Sequence, residues 1–196
     1  MTAAQHPRRI GAPDSKSRAM LLDAAEQLMV EEGYAAVTSR RVAAKAGLKP
    51  QLVHYYFRTM DDLFIEVFRR SADAGLVRFR QAIADDPSIR TLWRLNTDLR
   101  GSAFSLEFAA LANHRAVVRD EIALYARRFR DLQLAVLTAA LARAGVTTEQ
   151  IPPIAALVMM TGVGQVISIE SGLGISDGHE ETIAYIERAI ARMEDA

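Results

Sequence analysis

The chain has 196 residues, half of them hydrophobic, with 24 Lys/Arg against 24 Asp/Glu and no cysteine. That length supports one or two domains with a sizeable core, and a zero net charge excludes both a uniformly basic nucleic-acid coat and a highly charged disordered chain. Without cysteine there is no disulfide scaffold, thiolate zinc site, iron–sulfur cluster or cysteine nucleophile, which fits a reducing cytoplasm.

The charge is unevenly spread. Residues 1–58 hold 9 Lys/Arg against 5 Asp/Glu, and residues 146–196 hold 2 against 8. A polyanion would meet the N-terminal part. Residues 1–16 read as a flexible arm carrying Arg8 and Arg9, with no apolar stretch of the signal-peptide kind.

From there the apolar period is helical nearly everywhere. Leu21, Ala24, Ala25 and Leu28 share one face of a first helix, about 17–32, closed by Gly33. Thr38 caps a short helix over 39–46, and Gly47 ends it. Another short helix follows over 50–56, with Pro50 in its first turn. Thr59-Met60-Asp61-Asp62 reads as a capping box for a long helix to about Ala84, broken by Asp85-Asp86-Pro87. Further helices are expected over 88–100, 102–113, 116–144, 149–170 and 179–194, and no strand alternation stands out. The charge-free run Gln150–Ile169 contains Pro152-Pro153, Gly162 and Gly164. It reads as a core or interface helix rather than a membrane span. The expected fold is all-α with about nine helices: an N-terminal helix-turn-helix head over 17–62 and a helical body over 63–196.

The head carries the chemistry. A tight turn at Ala46-Gly47-Leu48 joins its second and third helices, the size and spacing of a helix-turn-helix. Ala43 allows close crossing, and Val42, Leu48 and Val53 supply the seam. The third helix would then expose Lys49, Gln51, Leu52, His54 and Tyr55. A helix fits the major groove; Gln51 can pair with adenine and Leu52 can meet a thymine methyl. Thr38 and Ser39 offer hydroxyls and free backbone N–H groups to a phosphate, with Arg40 and Arg58 adding charge nearby.

The run Gly33-Tyr34, Thr38, Val42-Ala43, Ala46-Gly47-Leu48, His54-Tyr55-Tyr56-Phe57 and Leu63 resembles the N-terminal signature of TetR-type transcriptional regulators. The resemblance covers about residues 17–65. It implies a three-helix DNA-binding head followed by an all-helical ligand-binding and dimerisation body. It also implies DNA contacts at Thr38, Ser39, Arg40, Lys49, Pro50, Gln51, Leu52, His54 and Tyr55, with Tyr55 and Tyr56 as a phosphate-binding aromatic pair. Two positions depart from the pattern. Lys49 stands where a small hydroxyl residue is common, and Met60 where a phosphate-binding lysine is common; Arg58 is placed to compensate.

In the body, Trp93, Asn96, Phe104, Phe108, Asn113, His114, Tyr125, Phe129, Met159 and Met160 supply the apolar walls and polar handles of a ligand pocket, or else a packed core. Ile183, Ile186, Ile190 and Met193 form one helical stripe, and Val158, Gly162, Gln165 and Ile169 another. Two such helices from each subunit would make a four-helix dimer interface, which the resemblance also implies.

The expected function is a cytoplasmic, ligand-responsive repressor that binds a palindromic operator as a homodimer and is released by a small hydrophobic or amphipathic effector. No cofactor, metal or catalytic residue is expected. His6, His54, His114 and His179 are far apart in sequence, and neither a His-Glu-x-x-His nor an acid-x-x-His pair occurs. The rival readings are a small all-helical enzyme acting on a hydrophobic compound and a helical protein-interaction adaptor.

Overall fold

The structure is a computed structural model that describes residues 15–99 and 101–194. The arm proposed for residues 1–16 therefore lies almost wholly outside the described residues. Nine α-helices form among them and no strand: α1 Lys16–Glu32, α2 Ser39–Lys45, α3 Pro50–Tyr56, α4 Met60–Asp85, α5 Ile89–Asn96, α6 Ser102–Ala112, α7 Ala116–Arg143, α8 Pro153–Gly172 and α9 His179–Glu194. A single 3-10 turn, Tyr34–Ala36, separates α1 from α2.

Local chemistry sets the helix ends. The Ser15 hydroxyl caps α1 by accepting the Arg18 N–H, and Thr38 accepts the Arg41 N–H at the start of α2. Such caps are each worth about 1 kcal/mol. At α4 the capping box forms as the sequence predicts. Asp62 N–H donates to Thr59 Oγ1 at 3.0 Å, and Thr59 N–H donates to Asp62 Oδ2 at 3.1 Å. Two boundaries differ. The helix expected over 88–100 stops at Asn96, because the Asn96 amide turns back onto the Leu92 carbonyl and the Thr97 hydroxyl onto the Trp93 carbonyl. The helix expected from 149 starts at Pro153. The consecutive prolines push the residue before each out of helical conformation, and Thr147 and Gln150 close a separate turn instead.

The chain divides into two compact units. The first runs to Ala72 and takes in 103–123; the second comprises 73–102 and 124 onwards. In the first, Leu21, Met29, Val42, Val53, Phe57, Leu63 and Val67 form a core to which α6 and the start of α7 add Phe104, Phe108, Leu111 and Val118. In the second, Phe79, Leu92, Trp93, Leu137, Leu157 and Ile190 form the centre.

Of the two α8 glycines, Gly164 permits a close approach within the chain. A Cβ there would stand 2.0 Å from the Asn96 carbonyl oxygen, whereas one at Gly162 would meet nothing within 4 Å. Among the described residues α8 is the one helix long and apolar enough to cross a membrane by length and composition, with 22% of its most apolar window buried.

Candidate nucleic-acid interface

The site is built on α2 and α3. Ala43 and Val42 are fully buried, so the two helices meet on a small side chain. Past α2 the chain turns at Gly47, whose φ is +67°, a left-handed value that costs other residues about 1 kcal/mol or more. The Leu48 N–H then reaches back to the Ala43 carbonyl at 2.8 Å, closing the turn. Pro50 opens α3 with its φ already helical and no N–H to satisfy.

The two faces of α3 separate cleanly. Val53 is 0% exposed and Phe57 2%, anchoring the helix. Lys49, Pro50, Gln51, His54 and Tyr55 are exposed. Gln51, His54 and Tyr55 lie at i, i+3 and i+4 and share one outward face. Leu52 corrects the sequence expectation. It is half-buried against the first core, one position round from Gln51, and offers only part of its side chain outward. Tyr56 also packs partly on that core, edge-on to Tyr55 with ring centroids 5.0 Å apart. Thr38 is exposed; its oxygen lone pair is used by the Arg41 cap, which leaves its O–H free to donate. Ser39 is half-buried.

The cations of this unit fall into two classes. On its flanks most are neutralised, Lys16 and Arg119 excepted: Arg41 by Glu32 at 2.6 Å, Lys45 by Glu31 at 2.6 Å, Arg18 by Glu66 at 2.6 Å, Arg70 by Asp23 and Glu26, and Arg115 by Asp61. Arg69 is held by Glu121 at 2.7 Å, and that hydrogen bond raises its guanidinium above the ordinary arginine value against a desolvation cost. Around α3 the cations are different. Arg40, Lys49 and Arg58 are exposed, and no carboxylate among the described residues pairs with them. An exposed reading face flanked by uncompensated cations has the chemistry of a phosphate-backbone contact. Met60, at the position where a lysine is common, is half-buried against the core and brings no charge.

Residues 21–67 match the family described as bacterial regulatory proteins, tetR family. The match takes in α2, the Gly47 turn and α3. The similarity to that family thus spans 47 of the chain's 196 residues, those of its N-terminal part. Among curated proteins, the HTH-type transcriptional regulator BetI of Rhizobium meliloti (strain 1021) is 29% identical over 133 residues. That alignment covers 62% of this chain and spans 64% of the relative's length. Solved structures share the fold. A protein of Rhodococcus sp. described as a TetR-family transcriptional regulator superposes with a TM-score of 0.69 at 19% identity, covering 89% of this chain and 98% of that one. A transcriptional regulator of Saccharomonospora viridis, solved in complex with choline, gives a TM-score of 0.69 at 18% identity over 79% of this chain and 84% of that one.

The pocket residues expected in the body divide between the two units. Phe104 and Phe108 are buried in the first, with rings 4.6 Å apart; Asn113 and His114 are exposed at the turn after α6, His114 stacking on Tyr34. In the second, Trp93 is 1% exposed and Phe129 packs edge-on to Phe79. The Tyr125 hydroxyl donates to Asp73 at 3.0 Å, and Met159 is exposed. In that unit the Asn96 amide meets the Met160 sulfur at 3.7 Å. Sequence reasoning missed their neighbours Gln133 and Thr161. A glutamine between Phe129 and Leu137 at i±4, on the inward face of α7, was the available signal.

The two dimer stripes also separate. Val158, Gln165 and Ile169 are exposed and Gly162 is half-exposed, together with Val166 and Leu173 on the same side of α8. The α9 stripe corrects the expectation. Ile190 is buried, and Ile183, Ile186 and Met193 pack against the second core, because that face of α9 is needed to cover Trp93 and Leu92.

Proposed function

We propose that the chain is a dimeric transcriptional repressor that binds operator DNA through α3 and is released by a small effector held in its second unit. The observation that carries this reading is the outward face of Gln51, His54 and Tyr55, flanked by the unpaired Arg40, Lys49 and Arg58. Gln51 reads a base edge; Tyr55, the Thr38 hydroxyl and the cations hold phosphates. A BetI relative named as an HTH-type transcriptional regulator supports the same assignment.

The exposed α8 face is the dimer surface. Val158, Val166, Ile169 and Leu173 recur at helical spacing and are 45–71% exposed, an apolar stripe a lone subunit would leave in water. A two-fold pair of α8 helices buries it in an isologous contact. Two α3 helices then enter successive major grooves of a palindrome, about 34–36 Å apart.

The choline complex of the Saccharomonospora viridis protein supports small-molecule control in this fold. α4 is unbroken from Met60 in the first unit to Asp85 in the second, and it is the element through which an effector acts on the head. Driving the repressor from about 99% to about 1% bound-competent takes roughly 5.5 kcal/mol of differential effector affinity. The test is an electrophoretic shift with the DNA immediately upstream of the chain's own coding sequence. A shift at low salt that effector-containing extract reverses is expected. A folded dimer that shifts nothing at low salt overturns the reading.

A further inference from the structure

Gln133 is 5% exposed on α7, yet its hydrogen bonding is incomplete in one specific way. Its Oε1 accepts from Asn96 Nδ2 at 2.7 Å. Asn96 Nδ2 also faces the Leu92 carbonyl at 2.9 Å, and Asn96 Oδ1 accepts the Thr161 hydroxyl at 3.2 Å. These contacts fix the direction of the chain. The Leu92 carbonyl requires a donor from Asn96, so the Gln133 atom beside that donor must be the acceptor, and flipping Gln133 would set two donors face to face. Gln133 Nε2 is thereby turned away from the cluster. It has no acceptor among the described residues. Among the described residues every fully buried side-chain nitrogen and oxygen has a partner, so Nε2 is not sealed in the core but borders accessible space.

The result is a one-way relay, from the α8 hydroxyl to the α5 amide to the α7 amide, ending on an unshared N–H. Each donation polarises the next amide and strengthens the terminal donor. Phe129, Leu137, Trp93 and Met160 belong to the same apolar cluster. We propose that Gln133 Nε2 is the polar anchor of the effector site, and that the effector presents a carbonyl or carboxylate oxygen on an apolar body. This rests on the second unit being the effector-binding part of the regulator. The anchor does not select a quaternary ammonium, which has no lone pair to offer it.

Trp93 is the chain's single tryptophan and lies three residues before Asn96, so its fluorescence reports on this cluster. Methyl octanoate, octanoate and octyltrimethylammonium are titrated as probes of equal chain length. The carbonyl probes are expected to change Trp93 emission saturably and to bind at least about tenfold more tightly than the ammonium, the scale of one buried hydrogen bond. Gln133→Glu, which swaps the donor for an acceptor of the same shape, is expected to weaken the carbonyl probes by about tenfold or more. Gln133→Met keeps the volume without the donor and is expected to give the same loss if the glutamate variant does not fold. A folded Met variant with unchanged affinity, preference for the ammonium, or no saturable response to any probe overturns the proposal. DNA binding measured in parallel separates the two readings. Failure to shift DNA with Gln133-dependent probe binding intact counts against the regulator alone, and intact DNA binding without dependence on Gln133 counts against the anchor alone.

Discussion

The backbone N–H of Tyr34 donates to Glu107 Oε2 at 2.7 Å, tying the 3-10 turn behind α1 to α6 inside the first unit. The same carboxylate lies 3.4 Å from where a Cβ on Gly33 would stand, and Gly33 has φ +83°. One acidic side chain thus serves an N–H that no helix satisfies, beside a glycine constrained by both space and backbone angle. Glu107→Ala is expected to destabilise the protein by about 1.5–3 kcal/mol, the range for hydrogen bonds to charged groups. Urea denaturation measures this, and a loss below about 0.5 kcal/mol would show that water replaces the carboxylate without cost.

The division between paired and unpaired cations predicts a salt signature. A dimer neutralising about six phosphates gives a log–log slope of affinity against salt near −5. Arg40→Ala should make that slope shallower by about one for each phosphate the variant no longer neutralises. Arg41→Ala should leave it unchanged, since Glu32 already holds that guanidinium. Fluorescence anisotropy at several salt concentrations distinguishes the two. Equal slopes for both variants would mean that the ion pairs do not decide which cations reach DNA.

The α8 stripe predicts the oligomer. Ile169→Glu places a charge on the exposed face without touching either core, because Ile169 is 45% exposed. Burying two such charges against each other is costly, so sedimentation should show a monomer with unchanged helical content. A variant that remains dimeric would move the interface off this face.

Asp86 gives the pH dependence. The Thr91 hydroxyl, followed by Ser88, donates to its carboxylate and holds it below the ordinary aspartate value of 3.8. A depressed folded value means that the charged form stabilises the fold above the unfolded pKa. That stability is lost as pH falls through the folded value. The thermal midpoint of the wild type should therefore fall more steeply below about pH 4 than that of Asp86→Asn. Parallel curves would show that the bonds to Thr91 and Ser88 contribute nothing.

Much of the head was legible because its signals are local. Gly47, Pro50 and the Thr59–Asp62 box each act on backbone within four residues, and each appears where the spacing places it. Leu52 was not legible, since a leucine at the edge of a short helix turns inward or outward by tertiary contact alone. In the body the helices were readable from their period, but not which apolar face meets which. Ile190 and Ile169 look alike in the sequence; one covers Trp93 and the other faces out. Gln133 escaped notice because the meaning of a lone polar residue in an apolar helix depends on partners from α5 and α8.

The central claim, that the outward side of α3 reads DNA, is tested most directly by measuring affinities of Gln51→Ala and Tyr55→Phe across a panel of single-base operator variants. Gln51→Ala should lose about 1–3 kcal/mol of discrimination at one base pair in each half-site and little elsewhere. Tyr55→Phe should weaken every sequence alike. Two folded variants that bind the whole panel as the wild type does would contradict the account.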